Sequence, residues 1–138
     1  MCSLKSAFSV CTLAITLSGC QAKLSVSKSF SLPQEEGKIS QTWEMPAQTA
    51  AQTIKVAVNV KSGPNVDVFV VNASEISDVI DASPKEKKKW EEKGYGFKRD
   101  VKSETVTVKV PANVEYKVHI MQVDDAKGKS EIEVKITN

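Results

Sequence analysis

From residue 24 onward, apolar side chains recur at every second position. Ile54, Val56, Val58 and Val60 alternate with Lys55, Ala57, Asn59 and Lys61. Val66, Val68 and Val70 alternate with Asp67, Phe69 and Val71, so this run is apolar on both sides toward its end. The same period marks Leu24 to Leu32, Ile39 to Met45, Val106 to Val110, Val114 to Ile120 and Ile132 to Ile136. A period of two is that of the extended strand, whose successive side chains point to opposite faces. Seven candidate strands follow, several with one wet face. The expected fold is all-β, an antiparallel β-sandwich of about seven strands. Ser62-Gly63-Pro64-Asn65, Pro111-Ala112-Asn113 and Asp124-Asp125-Ala126-Lys127-Gly128 separate consecutive candidates. Each is short and rich in turn residues, which predicts three hairpins.

One stretch breaks the rhythm. The 33 residues between Val71 and Thr105 show no clean alternation. Ile76, Val79 and Ile80 predict a short helical turn over 74–80. Ser83-Pro84-Lys85-Glu86 then has the form of a capping box, with Ser at the N-cap, Pro at N1 and Glu at N3. It predicts a helix over 85–93 that Gly94 ends. Long irregular connections in compact domains are often functional. The 71–105 excursion is therefore the candidate contact surface, with Trp90, Tyr95 and Phe97 as candidate binding residues. In the helix, Lys85, Lys87, Lys88, Lys89 and Lys93 are expected to face water while Trp90 docks on the sheets.

The N-terminus has a different character. Lys5 gives a short charged region, and 7–17 (AFSVCTLAITL) is an uncharged apolar run of 11 residues. That is the length of a secretory signal and too short for a spanning helix. It ends in Leu17-Ser18-Gly19-Cys20, which resembles the lipobox of bacterial lipoproteins. The resemblance implies cleavage between Gly19 and Cys20, and a diacylglyceryl thioether plus N-acyl chain, of the palmitate kind, on Cys20. Two or more acyl chains anchor stably where one does not. Residues 1–19 are then a signal peptide, 20–23 the acylated Cys and a short tether, and 24–138 the β-sandwich domain. Gln21, in place of an Asp, points to the outer membrane, facing the periplasm. Cys2 and Cys11 fall in the removed segment, so the mature chain has no free thiol and no disulfide.

Between Ile54 and Ile136 the layout resembles GOLD-like and pre-peptidase C-terminal β-sandwich domains. Asn65-Val66-Asp67-Val68-Phe69-Val70-Val71 matches one strand of that pattern. Val106-Thr107-Val108-Lys109-Val110-Pro111 and Tyr116-Lys117-Val118-His119-Ile120 match its later pair. Ala112-Asn113 replaces the usual glycine beside the proline, and the helix is unusually rich in lysine. The resemblance implies a non-catalytic adaptor or binding module, and no functional residue carries over.

The residues that could carry chemistry are few. His119 is the sole His, and strand parity groups it with Glu115, Lys117 and Met121 on an expected wet face. A lone His offers neither a metal set nor an identified nucleophile, and no G-x-S-x-G elbow accompanies it. Asp124-Asp125 lacks a calcium-loop spacing and is expected to be a solvated turn. Glu35-Glu36 stands in another turn, without the sign of burial that a glycosidase acid needs. The formal net charge of +2 gives no whole-domain case for nucleic acid. The expected function is a membrane-anchored envelope lipoprotein, not an enzyme, needing no metal or other cofactor beyond the lipid on Cys20. Its expected partners are the lipid bilayer and an envelope protein or glycan. The alternative is a periplasmic enzyme inhibitor or glycan-binding module. Periplasmic lysozyme inhibitors share the lipoprotein address and small β fold, but those compared carry a disulfide. A hydrolase using His119 is the third class.

Overall fold

The structure is a computed structural model that describes residues 16–18, 21–75, 83–92 and 96–138. For residues 16–18, 21, 22 and 90–92 it describes the backbone alone. Thr16–Ser18 (β1) and Gln21–Lys23 (β2) pair as a short antiparallel ribbon. The sandwich proper is built from Ser25–Leu32 (β3), Ser40–Met45 (β4), Gln52–Ser62 (β5), Val66–Asn72 (β6), Gly96–Val101 (β7), Ser103–Val110 (β8), Tyr116–Gln122 (β9) and Ser130–Thr137 (β10). One four-stranded sheet has the order β3-β10-β5-β8, the other β4-β9-β6-β7. All pairings within them are antiparallel. Ile54, Val56, Val58 and Val60 of the first sheet bury against the second, where Val66, Val68, Val70, Val118 and Ile120 face them. This is the alternation read from the sequence, and it makes the expected β-sandwich.

The turns do something other than expected. β5 and β6 lie in different sheets, as do β8 and β9, and β9 and β10. None of the three predicted hairpins forms. Each connection instead carries the chain across the sandwich, and within its two sheets, among the described residues, only β6 and β7 are both consecutive and paired. A short turn joins either two neighbours in one sheet or two strands stacked across a core. Turn chemistry alone does not separate these cases. Here the crossing is held by buried polar groups. Gln122 Nε2 donates to the Leu32 and Gly128 carbonyls, each at 3.0 Å. The Ser130 hydroxyl donates to the Pro64 carbonyl at 2.6 Å. The β3–β4, β5–β6 and β9–β10 connections are thus tied together at one end, and these backbone acceptors are satisfied away from water.

β7 is the strand that the alternation missed. Val101 pairs with Val66 and Lys98 with Val68, so two residues of β7 oppose Asp67 alone. This is a β-bulge, and Asp100 occupies it at φ 55°. The extra residue reverses the parity: Phe97 packs on the outer face while Val101 enters the core between the sheets. In a regular strand, residues four apart would share a face.

The excursion from β6 to β7 begins with a 3₁₀ turn, Ala73–Glu75, and includes helix α1, Pro84–Glu92. The capping box is formed as expected. The Ser83 N–H donates to Glu86 Oε2 at 2.7 Å, and the Glu86 N–H donates to Ser83 Oγ at 3.4 Å. The remainder of the turn predicted over 74–80, and Gly94, lie outside the described residues.

Gly63 shows how tight the crossing is. Its φ is +85°, and a Cβ there would stand 1.9 Å from the Lys129 carbonyl oxygen. Gly37 has a similar φ of +76° but open space around it. Gly37→Ala should cost only the left-handed backbone penalty, about 1–2 kcal/mol. Gly63→Ala adds a backbone collision and should cost at least twice as much, on the order of 3 kcal/mol or more. Urea unfolding of both variants checks this, and equal losses would contradict the tight crossing.

Candidate functional site

The two outward faces of the sandwich differ. On the second sheet, Phe69 and Val71 of β6, Phe97 of β7 and Met121 of β9 form a separate buried apolar cluster. Phe69 and Phe97 stack with centroids 4.2 Å apart. Three polar residues join this face: Asp67, His119 and, from α1, Lys87. Alternation places Asp67, Phe69 and Val71 on one side of β6, and His119 and Met121 on the matching side of β9. Phe69 pairs directly with His119.

His119 is 1 % exposed. The expected wet face is therefore corrected: parity was right, but the face is covered. Its Nδ1 shares a 2.7 Å hydrogen bond with the Thr42 hydroxyl, while Nε2 is buried without a partner. Burial, with Lys87 nearby, lowers its pKa to about 4. A hydroxyl bonded to an imidazole suggests a nucleophile and its base. A catalytic imidazole, however, needs a third group on its other nitrogen and access to substrate. Nε2 has no such group. The pair reads as a structural contact.

Lys87 is 2 % exposed, which overturns the reading that all helix lysines face water. Lys85, Lys88 and Lys89 are exposed as expected, and Lys93 lies outside the described residues. Lys87 Nζ donates to Asp124 Oδ1 at 2.9 Å and stands 3.8 Å from Asp67 Oδ2. Asp124 is therefore an ion-pair partner with a side chain 38 % exposed, while Asp125 stays in the exposed turn. Asp67 is held on one side only. Its Oδ1 accepts the N–H of Asp100 in the bulge at 3.0 Å, and Oδ2 is buried with no hydrogen bond. Burial raises its pKa against the opposing pull of that N–H and of Lys87. The bulge and the buried carboxylate explain each other: the extra residue presents an N–H that the ladder leaves unpaired, and Asp67 takes it.

The first sheet turns an uncovered polar face outward. Ser29, Glu133, Asn59 and Ser103 form one cross-strand row, and Ser27, Lys135, Ala57 and Thr105 the next. Small side chains leave a shallow groove of about 590 Å³ across all four strands. Glu133 is paired with Lys61 at 2.5 Å at its side. The groove offers hydroxyls and an amide, with one charge of each sign from β10 along its centre.

Of the candidate binding residues, Phe97 is 6 % exposed and stacked in the outer cluster, so it supports the face and does not present a ring. Trp90 has its backbone in α1, but its side chain lies outside the described residues, as does Tyr95. Cys20 and Gly19 lie outside them too. Glu35 and Glu36 stand exposed in a turn. Among the described residues, no group of three or more His, Cys, Asp and Glu side chains is placed to hold a metal ion. No helix among them is long and apolar enough to cross a membrane. Sequence reading missed Lys87, Asp67 and the groove. A signal for Lys87 existed, since it precedes Trp90 by three and shares its helix face.

His119 makes stability depend on pH. The folded protein keeps it neutral down to about pH 4, whereas the unfolded chain protonates it near its ordinary value of about 6.5. Its contribution is thus complete above pH 6.5 and is lost as pH falls toward 4. Asp67 acts oppositely, because its raised pKa favours the fold at low pH. The His119 contribution should amount to roughly 2–3 kcal/mol lost by about pH 4.5. Denaturant titrations at several pH values should show this slope in the wild type and not in His119→Gln. An identical slope in both would contradict it.

No protein-family model matches the sequence, and no curated protein matches it. A solved structure does share the fold: the pre-peptidase C-terminal domain of collagenase from Bacillus anthracis. The TM-score is 0.53 at 13 % identity, over 80 % of this chain and 86 % of that one. The resemblance read from the strand pattern therefore holds for the fold.

Proposed function

We propose that the chain is an envelope lipoprotein, anchored through acylated Cys20, whose β-sandwich serves as a non-catalytic adaptor or binding module. The observation that carries the binding role is the uncovered polar groove of the first sheet. Its neighbour sheet buries its outward face, so the two faces have different work. Two rows of Ser, Asn and Thr side chains, with Glu133 and Lys135 at their centre, form over four paired strands a rigid array of donors and acceptors, already ordered before any partner arrives. It suits a polar segment of an envelope protein or a glycan. The anchor rests on the lipobox. The sandwich starts almost at once after it: the Leu24 N–H donates to Asn138 Oδ1 at 2.7 Å. A processed chain therefore holds its domain close to the bilayer, and β3, the groove's edge strand, lies nearest the lipid in sequence. In this reading the membrane is the outer one and the domain faces the periplasm. No bound cofactor enters the role, and the attached groups are the diacylglyceryl and N-acyl lipids on Cys20.

Two experiments test this. Cys20→Ser should leave an unlipidated precursor or release the domain from membranes; a variant that keeps its lipid label would refute the anchor. In cells, a photo-crosslinker at Asn59 in the groove should give a discrete adduct that one at Lys127, in the exposed turn before β10, does not. A protein adduct supports an adaptor and a glycan adduct a glycan-binding module. Equal, diffuse labelling at both positions would refute the groove.

A further inference from the structure

Lys87, Asp67 and Asp124 have an arrangement that an ion pair does not require. We propose that they form an intramolecular isopeptide bond, an amide joining Lys87 Nζ to Asp67 Cγ, with Asp124 as the proton shuttle. The two oxygens of Asp67 are differentiated in the way such a condensation needs. Oδ1 already accepts the Asp100 N–H at 3.0 Å, which polarises Cγ and would hold the oxyanion of a tetrahedral intermediate. Oδ2 is buried and unbonded, 3.8 Å from Nζ, in the position of the leaving oxygen. The amine and the Asp67 carboxyl are both almost fully excluded from solvent. Burial holds the carboxyl toward its neutral form, the form that an amine can attack.

The step balances without any further reactant. Asp124 Oδ1, 2.9 Å from Nζ, takes a proton from the ammonium. The freed amine pair attacks the neutral Asp67 Cγ and forms the C–N bond. Asp124 returns its proton to the Oδ2 hydroxyl, which departs as water while Oδ1 re-forms the carbonyl, and the Asp124 carboxylate then takes the second nitrogen proton. The Lys87 ammonium, the neutral Asp67 carboxyl and the Asp124 carboxylate thus become an amide, one water and a protonated Asp124, which is 38 % exposed and returns its proton to solvent. An opening of about 330 Å³, lined by Asp67, Arg99, Asp100, Val123 and Asp124, gives that water an exit. The bond would close a loop from β6 to α1 and fasten the excursion over the outer face. It would supply the cross-link that a mature chain without free cysteines cannot make from sulfur.

The test is the mass of the wild-type protein, purified from membranes and denatured. The expected result is a mass one water below that of the processed, acylated chain. Tryptic peptides 62–85 and 86–88 should be recovered joined, because an amidated Lys87 resists cleavage. Lys87→Arg should restore the full mass. A full mass in the wild type would overturn the proposal, as would a water deficit that maps elsewhere or persists in Lys87→Arg. The decisive reading uses the wild type, so it stands even where a variant fails to fold.

Discussion

β6 is buried on both faces, and most of the architecture follows from that. Val66, Val68 and Val70 fill the space between the sheets, while Asp67, Phe69 and Val71 look the other way and are equally covered. A strand of this kind needs cover on its far side. The chain supplies it locally, since the segment leaving β6 returns as β7 after the excursion that holds α1, and α1 packs against β7. Burying Phe69, Val71, Phe97 and Met121 there contributes on the order of 1.5–3 kcal/mol for each side chain. The first sheet has no such demand. Its outward positions are Ser, Asn, Thr, Lys and Glu, with Ala57 among them, and they stay open to water.

Polar groups fix the places where the apolar pattern cannot decide. Asp67 satisfies the bulge, and the bulge sends Val101 into the core and Phe97 out of it. Gln122 and Ser130 fasten the β3–β4, β5–β6 and β9–β10 crossings, and the sequences of the last two would equally suit hairpins. Lys87 reaches beneath the helix, with Nζ 2.9 Å from Asp124 Oδ1 and 3.8 Å from Asp67 Oδ2. Its effect here is on arrangement: α1 is pinned to β6 through Asp67 and to the turn after β9 through Asp124.

The sandwich was legible because Val and Ile alternate cleanly in β5, β8 and β10, and the helix start was legible because Ser83 and Glu86 stand at capping-box spacing. β7 was not, because Asp100 at φ 55° breaks its period and leaves Phe97 and Val101 facing opposite ways. Strand pairing was not, because Gly63-Pro64 and Asp124-Asp125 mark a reversal without saying which sheet receives the next strand. His119 was placed on the correct face of β9, but whether that face is wet depends on α1, more than 25 residues earlier in the chain. The groove on the first sheet was invisible for a simpler reason. Ser27, Ala57, Asn59 and Thr105 are ordinary surface residues until pairing sets them side by side.

The central claim is that one outward face is closed and the other open. Single cysteines at Met121, on the second sheet, and at Asn59, on the first, read the two faces directly in a chain whose Cys2, Cys11 and Cys20 are replaced by Ser. Thiol labelling under native conditions should modify Asn59→Cys rapidly and Met121→Cys only after denaturant unfolds the chain. Rapid native labelling at both positions would contradict the covered face, and with it the asymmetry from which the binding role is drawn.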